Sequence, residues 1–427
     1  MATLSTLAAL PPRQKAALFA ALTAAWTVWT LLANYNGLHL DISALFMAGW
    51  LTGTGQPDLI YLAPTNEQGG QTLAFWSETM ASLGLPDQVV TAYLYPPIWA
   101  KLLSYPAHGL GPTGFFHAAY IWHMAAILAS AALAWGLSRS DRAPEPTAWG
   151  LTLFVILFAT WPVVLAFLTN QPQLTVTLLV LAAFLLTQRG HAIPGGALLG
   201  LAAAFKVSPI LFALIFVLNR NWRALAATLV VSGGIALLSI AVMGWPLHEV
   251  YLARLAHLRS LIVMTKVNYS PEALLYQFSD LIRGLPMVDG RELTTFMRPE
   301  PLWITLTTKL AFLAALVTMI LATRRLPAAT RPVVQLFLMG LITALFGPLS
   351  WAHYFILPML LFPALFTIME ARRAWLWIAA VLASASLPAF AVLNALNHLF
   401  MVSALVPALV FLGLLADSLR AAARPAP

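Results

Sequence analysis

The sequence predicts an all-α, polytopic membrane protein, and three observations carry that expectation. Of the 427 residues, 60% are hydrophobic and 9% are charged, and the mean hydropathy is +0.82, whereas a soluble domain carries about 25% charged residues. Apolar runs approach the ~20 residues that a helix needs to cross a bilayer core. Arginine concentrates in the short connections between those runs, where topology signals sit. One membrane domain covers residues 1–427, with no internal repeat and no evident domain boundary.

Taken in order, the expected spans are Ala16–Leu32, Phe115–Leu137, Trp149–Leu168, Leu174–Thr187 and Ala224–Met243, then Pro301–Leu321, Val333–Leu349, Phe355–Ile368, Trp375–Phe390 and Ala395–Leu415. Arg13 and Lys15 precede the first run as in a signal peptide, but no small-residue cleavage site follows, so it reads as an uncleaved span. Two segments are ambiguous. Tyr95–Leu110 is interrupted by Pro106 and His108, and Pro194–Leu218 is broken by Lys206, Ser208 and Pro209. The clusters Arg13/Lys15, Arg139/Arg142, Arg189, Arg220/Arg223, Arg324/Arg325/Arg331, Arg372/Arg373 and Arg420/Arg424 share one face under a single choice. Tyr95–Leu110 must lie at the outer surface, and Pro194–Leu218 must form a hairpin with Lys206 near its outer tip. That gives about twelve transmembrane helices with both termini cytoplasmic. A plain crossing at both places is the second choice, because it puts Arg139, Arg142 and Arg189 outside.

Two outward pieces follow. A first periplasmic loop, 33–110, carries juxtamembrane helices, and Asn66–Leu85 within it is long; a second spans 245–300. The net charge of +8 sits mainly in the topology-setting arginines, and no basic stretch with interleaved aromatics points to nucleic acid. Cysteine is absent, which excludes disulfides, thiolate metal sites and cysteine nucleophiles.

Several outward positions carry chemistry. Asp41, in Leu38-His39-Leu40-Asp41-Ile42-Ser43, is an acid between apolar neighbours; it is either a helix N-cap or a functional carboxylate. Tyr95 belongs to Tyr93-Leu94-Tyr95-Pro96-Pro97-Ile98-Trp99, whose aromatics also suit interfacial anchors. Asn170 and Gln171 lie in Thr169-Asn170-Gln171-Pro172, which also reads as a polar turn. Lys206 in an apolar segment suits a phosphate, with snorkelling as the alternative. Gly347-Pro348-Leu349-Ser350-Trp351-Ala352-His353-Tyr354 joins two late spans, and His353 reads as a site residue or a structural histidine. The arginine pattern brings all of these to one membrane face without reference to chemistry.

In that order and spacing, Asp41, Tyr95-Pro96-Pro97, Lys206 with Pro209, and Ser350-Trp351-Ala352-His353-Tyr354 resemble glycosyltransferase family 87, over about Asp41 to Tyr354. The resemblance implies the GT-C fold and transfer of a hexosyl residue, mannosyl first, from a polyprenyl-phosphate-sugar (EC 2.4.1.-). It matches Asp41 to the family's catalytic acid and His353 to the histidine of its Trp-x-His motif. Lys206 matches a lysine that meets the carrier phosphate. Tyr354 and Ala352 depart from the family, which often carries a second histidine and an acid there.

The expected mechanism is a single, inverting displacement, with Asp41 taking the acceptor proton and His353 sharing that proton or orienting Asp41. Lys206, with Arg254 or Arg259, stabilises the departing phosphate. Tyr95, Asn170, Gln171, Trp351, Tyr354 and His257 complete the expected substrate contacts. No Asp-x-Asp pair or histidine cluster suggests a metal, and no cofactor is expected. The expected partners are the lipid-linked sugar, a glycolipid or glycan acceptor and membrane lipids. The expected location is the bacterial inner membrane with the site facing the periplasm. A transporter or flippase of a lipid-linked sugar is the alternative, although it normally shows internal repeats. A noncatalytic scaffold is the third reading.

Overall fold

The computed structural model describes residues 9–62, 68–69, 74–285, 295–347, 349–397 and 401–424. Pro348 and parts of the expected 33–110 and 245–300 loops, including most of 63–73 and all of 286–294, lie outside the described residues.

The described residues are helical almost throughout, with one small sheet. Helix α1 (Pro12–Asn34) is followed by α2 (Leu40–Gly53), a short strand β1 (Gln68–Gly69) and α3 (Ala74–Ser82). Helix α4 runs from Pro97 to Ser138 and is kinked at Gly111, whose φ of 66° and ψ of 177° only a glycine adopts without strain. Pro106 and Pro112 flank that kink. The expected surface segment and the span after it are therefore two arms of one bent helix. Helices α5 (Pro146–Ala159) and α6 (Trp161–Leu168) replace the single run expected over Trp149–Leu168. Then come α7 (Gln173–Gln188), α8 (Ala192–Phe205), a 3-10 turn at Ser208–Phe212, α9 (Ala213–Leu218) and α10 (Trp222–Met243).

Segment 192–218 returns to the face it left. Gly196, early in α8, packs so closely on Ala224, early in α10, that a Cβ would lie 2.1 Å from the Ala224 carbonyl oxygen. The Thr228 hydroxyl donates to the Gly196 carbonyl at 3.0 Å. Helices α8 and α10 thus start at one level, and the chain between them is a hairpin with Lys206 at its far end.

Residues 245–300 contain α11 (Trp245–Arg259), β2 (Leu261–Met264), α12 (Pro271–Ile282) and β3 (Thr295–Pro299). The strands form an antiparallel sheet in the order β1-β3-β2, an element that the expectation of an all-α chain did not include. Helices α13 (Leu302–Thr323) and α14 (Arg331–Phe346) follow. The run 352–368 is a chain of short turns, with α15 (Ile356–Leu360) and α16 (Leu365–Ile368). Helices α17 (Ala371–Ser384), α18 (Leu387–Ala395) and α19 (Val402–Ala423) complete the chain.

Among the described residues, α1, α4, α10, α13 and α19 are long and apolar enough to cross a bilayer. Several other expected spans are divided, and proline is the common cause. Pro162 sits at the start of α6, Pro388 at the start of α18, and Pro358 and Pro363 interrupt 352–368. Two of the breaks satisfy each other: Thr160 pairs with Ser386, the Trp161 amide donates to Ala385 at 2.7 Å, and the Trp161 and Phe390 rings stack at 3.8 Å. Irregular backbone at that depth is tolerable because protein surrounds it.

Several of the arginine-flanked loops come together. Lys15 meets Glu145 at 3.8 Å. Leu137, Gln188, Asn219 and Pro332 line one cleft, which gathers the chain beside Arg139, Arg189, Arg220 and Arg331.

Candidate active site

At the opposite end of the bundle, the start of α2 meets the end of α6. His39 precedes α2 in the left-handed conformation (φ 46°) and makes no side-chain cap. Asp41 lies in the first helical turn, so it is not the N-cap. Its backbone amide donates instead to the Thr169 carbonyl at 2.9 Å, and its carboxylate accepts from Gln171 Nε2 at 2.7 Å. Burial pushes the Asp41 carboxyl up to about 6, against the opposing effects of Thr169 and the Lys206 charge. A carboxylate near that value suits proton abstraction close to neutral pH.

Helix α6 closes with a left-handed residue, as helices often do. Asn170 (φ 51°) follows Thr169, and the Gln171 and Asn170 amides return to Ala166 at 2.8 Å and Phe167 at 3.2 Å. This turn presents Gln171 to Asp41. The Gln171 side-chain carbonyl then accepts from the Gln173 amide at 3.3 Å.

Gln173 is the first residue of α7, and its Oε1 accepts from Lys206 Nζ at 2.9 Å. The same ammonium donates to the Tyr354 hydroxyl at 2.8 Å. Lys206 reaches this point because α8 ends at Phe205, leaving Lys206 extended before the 3-10 turn that holds Pro209. The break is braced from α4: Trp99 Nε1 donates to the Ala204 carbonyl at 2.8 Å, and the Tyr95 ring stands edge-on to Phe205 at 5.3 Å.

His353 lies beside Tyr354, with ring centroids 4.7 Å apart. It is 4% exposed, and neither ring nitrogen has a partner among the described residues. A buried imidazole with two unmatched nitrogens lacks the hydrogen bonds that buried polar groups normally make. The backbone around it is held by residues 267–270. Trp351, half-buried, pairs with Asn268; the Ala352 amide donates to Val267 at 2.9 Å, and the Tyr269 amide to Ser350 at 2.8 Å. Asn268 ties the junction together, its Oδ1 accepting from the Ser350 amide at 3.0 Å and the Ser270 amide at 3.2 Å.

Asp41, Gln171, Gln173, Lys206 and Tyr354 therefore form one hydrogen-bonded chain, with His353 at its end and Tyr95 beside Lys206. The other expected contacts are placed differently. Asn170 is fully buried, and its amide is engaged by His39, His123 and Phe116. Arg254, His257 and Arg259 lie on α11, and no hydrogen bond joins them to the chain among the described residues. A row of tyrosine rings connects the two regions, with centroids 5.7 Å apart for Tyr95–Tyr93, 5.4 Å for Tyr93–Tyr61 and 5.5 Å for Tyr61–Tyr251. Gln173 and Asn268 escaped the sequence reading. A glutamine at the first position of an apolar run was the available sign for Gln173; Asn268 had none.

Among the described residues, no three or more His, Cys, Asp or Glu side chains converge as metal ligands would.

The model of glycosyltransferase family 87 matches residues 93–348. That interval holds Tyr95, Gln171, Gln173 and Lys206, begins after Asp41 and stops before His353. A polyprenol-phosphate-mannose-dependent α-(1-2)-phosphatidylinositol mannoside mannosyltransferase of Mycobacterium tuberculosis is 26% identical over 349 residues, covering 79% of this chain and 72% of that protein.

Proposed function

This chain belongs to glycosyltransferase family 87, and from that premise we propose that it transfers a mannosyl residue from a polyprenyl-phosphate carrier to a glycolipid or glycan acceptor. The transporter alternative falls with the family. The similar mycobacterial enzyme takes its mannose from a polyprenol phosphate and acts on a phosphatidylinositol mannoside, which supports a lipid-linked donor here.

The observation that carries the reading is the polar chain from Asp41 to Tyr354, with a base at one end and a cation beside an unmatched imidazole at the other. The acceptor hydroxyl attacks the anomeric carbon as Asp41 takes its proton, and the bond from that carbon to the phosphate oxygen breaks. Polyprenyl phosphate leaves with the bonding electron pair, and the anomeric centre inverts. Gln171 holds the carboxylate in place for this step. Lys206 and His353 receive the phosphate, because an ammonium and an imidazole N–H stabilise the charge that develops on it. Tyr354 fixes the ammonium. The carrier is a good leaving group, so the reading requires no metal. The arginine clusters on the opposite face support a site at the periplasmic surface of an inner membrane. Arg254, His257 and Arg259 then border the acceptor's approach rather than the leaving group.

The test is release of free polyprenyl phosphate from synthetic short-chain polyprenyl-phosphate-mannose by purified protein in detergent. Wild type is compared with Lys206→Met and His353→Ala. Each variant is expected to lose at least about tenfold in kcat/KM, as expected for removal of a charge-stabilising donor. Wild-type rates in both would refute the assignment of the phosphate site, and no release by the wild type with several acceptors would refute the donor class.

A further inference from the structure

Three residues beside the proposed base form a closed network for which the mechanism above has no use. Asn170 Oδ1 lies 2.7 Å from His123 Nδ1. Asn170 Nδ2 lies 3.0 Å from the Phe116 carbonyl and 3.3 Å from His39 Nδ1. His39 Nε2 lies 3.2 Å from the Tyr35 carbonyl. Carbonyls only accept, so Nδ2 donates to Phe116 and His39 carries its proton on Nε2. His39 Nδ1 is then the acceptor that the second Asn170 amide hydrogen requires. The remaining Asn170 carbonyl takes the proton of His123 Nδ1. Each of these donors meets an acceptor in one arrangement, with the His39 ring neutral.

The backbone makes the same connection. His39 and Asn170 are two of the three non-glycine residues with positive φ among those described. Both are buried, and each costs conformational energy on the order of 1 kcal/mol or more. Between them they align 39–41 with 169–171: His39 bonds Asn170, while Asp41 bonds Thr169 through its amide and Gln171 through its carboxylate. Strain held in a buried network beside a reacting group is a sign of pre-organisation.

We infer that Asn170, held between His39 and His123, is a positioning residue that locks the start of α2 to the end of α6 and so fixes where the Asp41 carboxylate meets the acceptor hydroxyl. This rests on the reading of Asp41 as the base. The carboxylate is on the second residue of a helix whose preceding residue supplies no cap. Without the clasp, the hydrogen bonds that tie the first turn of α2 to the end of α6 among the described residues are those of Asp41. Reacting groups misplaced by about 1 Å lose on the order of a hundredfold in rate.

The test compares kcat and donor KM of Asn170→Gly with wild type, in the same short-chain donor assay. Glycine keeps the left-handed turn and removes the amide. The expected result is a 10- to 100-fold fall in kcat with donor KM unchanged, and an acidic limb of the pH–rate profile that moves. An unchanged kcat overturns the inference, as does a raised donor KM at constant kcat, which would make Asn170 a substrate contact. His39→Asn, which retains a side chain tolerant of positive φ, supplies the same reading should Asn170→Gly fail to fold. Asp41→Asn is measured beside them. If it keeps the wild-type rate, the base assignment fails, whereas an inactive Asp41→Asn with a normal Asn170→Gly removes the clasp alone. The double variant separates the roles further: Asn170 acting through Asp41 adds no loss to that of Asp41→Asn, and additive losses count against it.

Discussion

Replacing Asp41 by asparagine should make the protein more stable and less active, and the two effects should follow pH differently. Burial moves this carboxyl from 3.8 to about 6 in the folded chain. A folded value raised above the unfolded one gives stability that is complete below about 4 and declines as pH rises to about 6. Above that the loss is constant at about 3 kcal/mol, at 1.36 kcal/mol per pH unit of difference. Asparagine carries no such penalty. It gives up the charged acceptor of the Gln171 bond at 2.7 Å, worth about 1–2 kcal/mol. The net gain at pH 8 is about 1–2 kcal/mol, a rise in melting temperature of a few degrees. At pH 4 the gain is absent. Thermal melting in detergent between pH 4 and 8 measures the first effect, and release of polyprenyl phosphate measures the second, expected to fall by about 10²–10⁴. The wild-type rate should itself decline as pH falls below about 6. A gap in melting temperature that does not change with pH would refute the burial argument, and retained activity would refute the role of base.

Three further outcomes are expected. Asn268→Ala strips the Ser350 and Ser270 amides of their acceptor; it should cost about 2–4 kcal/mol by melting and lower kcat more than donor KM, since it frees the backbone beside His353. Gly196→Val forces side-chain atoms onto the Ala224 carbonyl, where even a Cβ would stand 2.1 Å away, and should cost about 3 kcal/mol or give no folded protein on size-exclusion chromatography. Glu272 is pushed up to about 7 by burial, with the Glu300 charge adding to it; its stabilisation is complete below about 4.5 and lost as pH rises through 7. Glu272→Gln should therefore melt higher than wild type at pH 8 and alike at pH 4.

The fold was legible where a single segment carried its own signal. The break at Lys206 followed from a charged residue and a proline three positions on, and the bend in α4 followed from Pro106 and an interrupted apolar run. Asp41, Lys206 and Tyr354 were assigned to one face by arginine counting, and hydrogen bonds join them there. Pairings between distant segments were not legible. Nothing in Thr160 or Ser386 marks them as breaks that satisfy each other, and the strands at 261–264 and 295–299 read as loop because they are short. Asn170 shows the limit most clearly. A polar turn facing the site suggests a substrate contact, but the three groups that occupy its amide come from segments 47 to 131 residues away. Composition reports that a residue is polar, and only packing decides whether its hydrogen bonds are already taken.

The bend in α4 has a mechanical consequence. At 1.5 Å per residue, a straight helix of 42 residues would reach about 63 Å, twice the ~30 Å of a hydrocarbon core. Gly111 divides that length into a mast and a boom. Helix α2 packs against both arms, with Trp50 stacked on His108 at 4.1 Å before the bend and Phe46 meeting Phe115 at 5.5 Å after it, and so sets the angle between them. The boom is in turn anchored through Trp99 to the Ala204 carbonyl at the tip of the Lys206 hairpin. The joint lets a helix too long to stand upright in a bilayer turn aside and brace the break that carries Lys206.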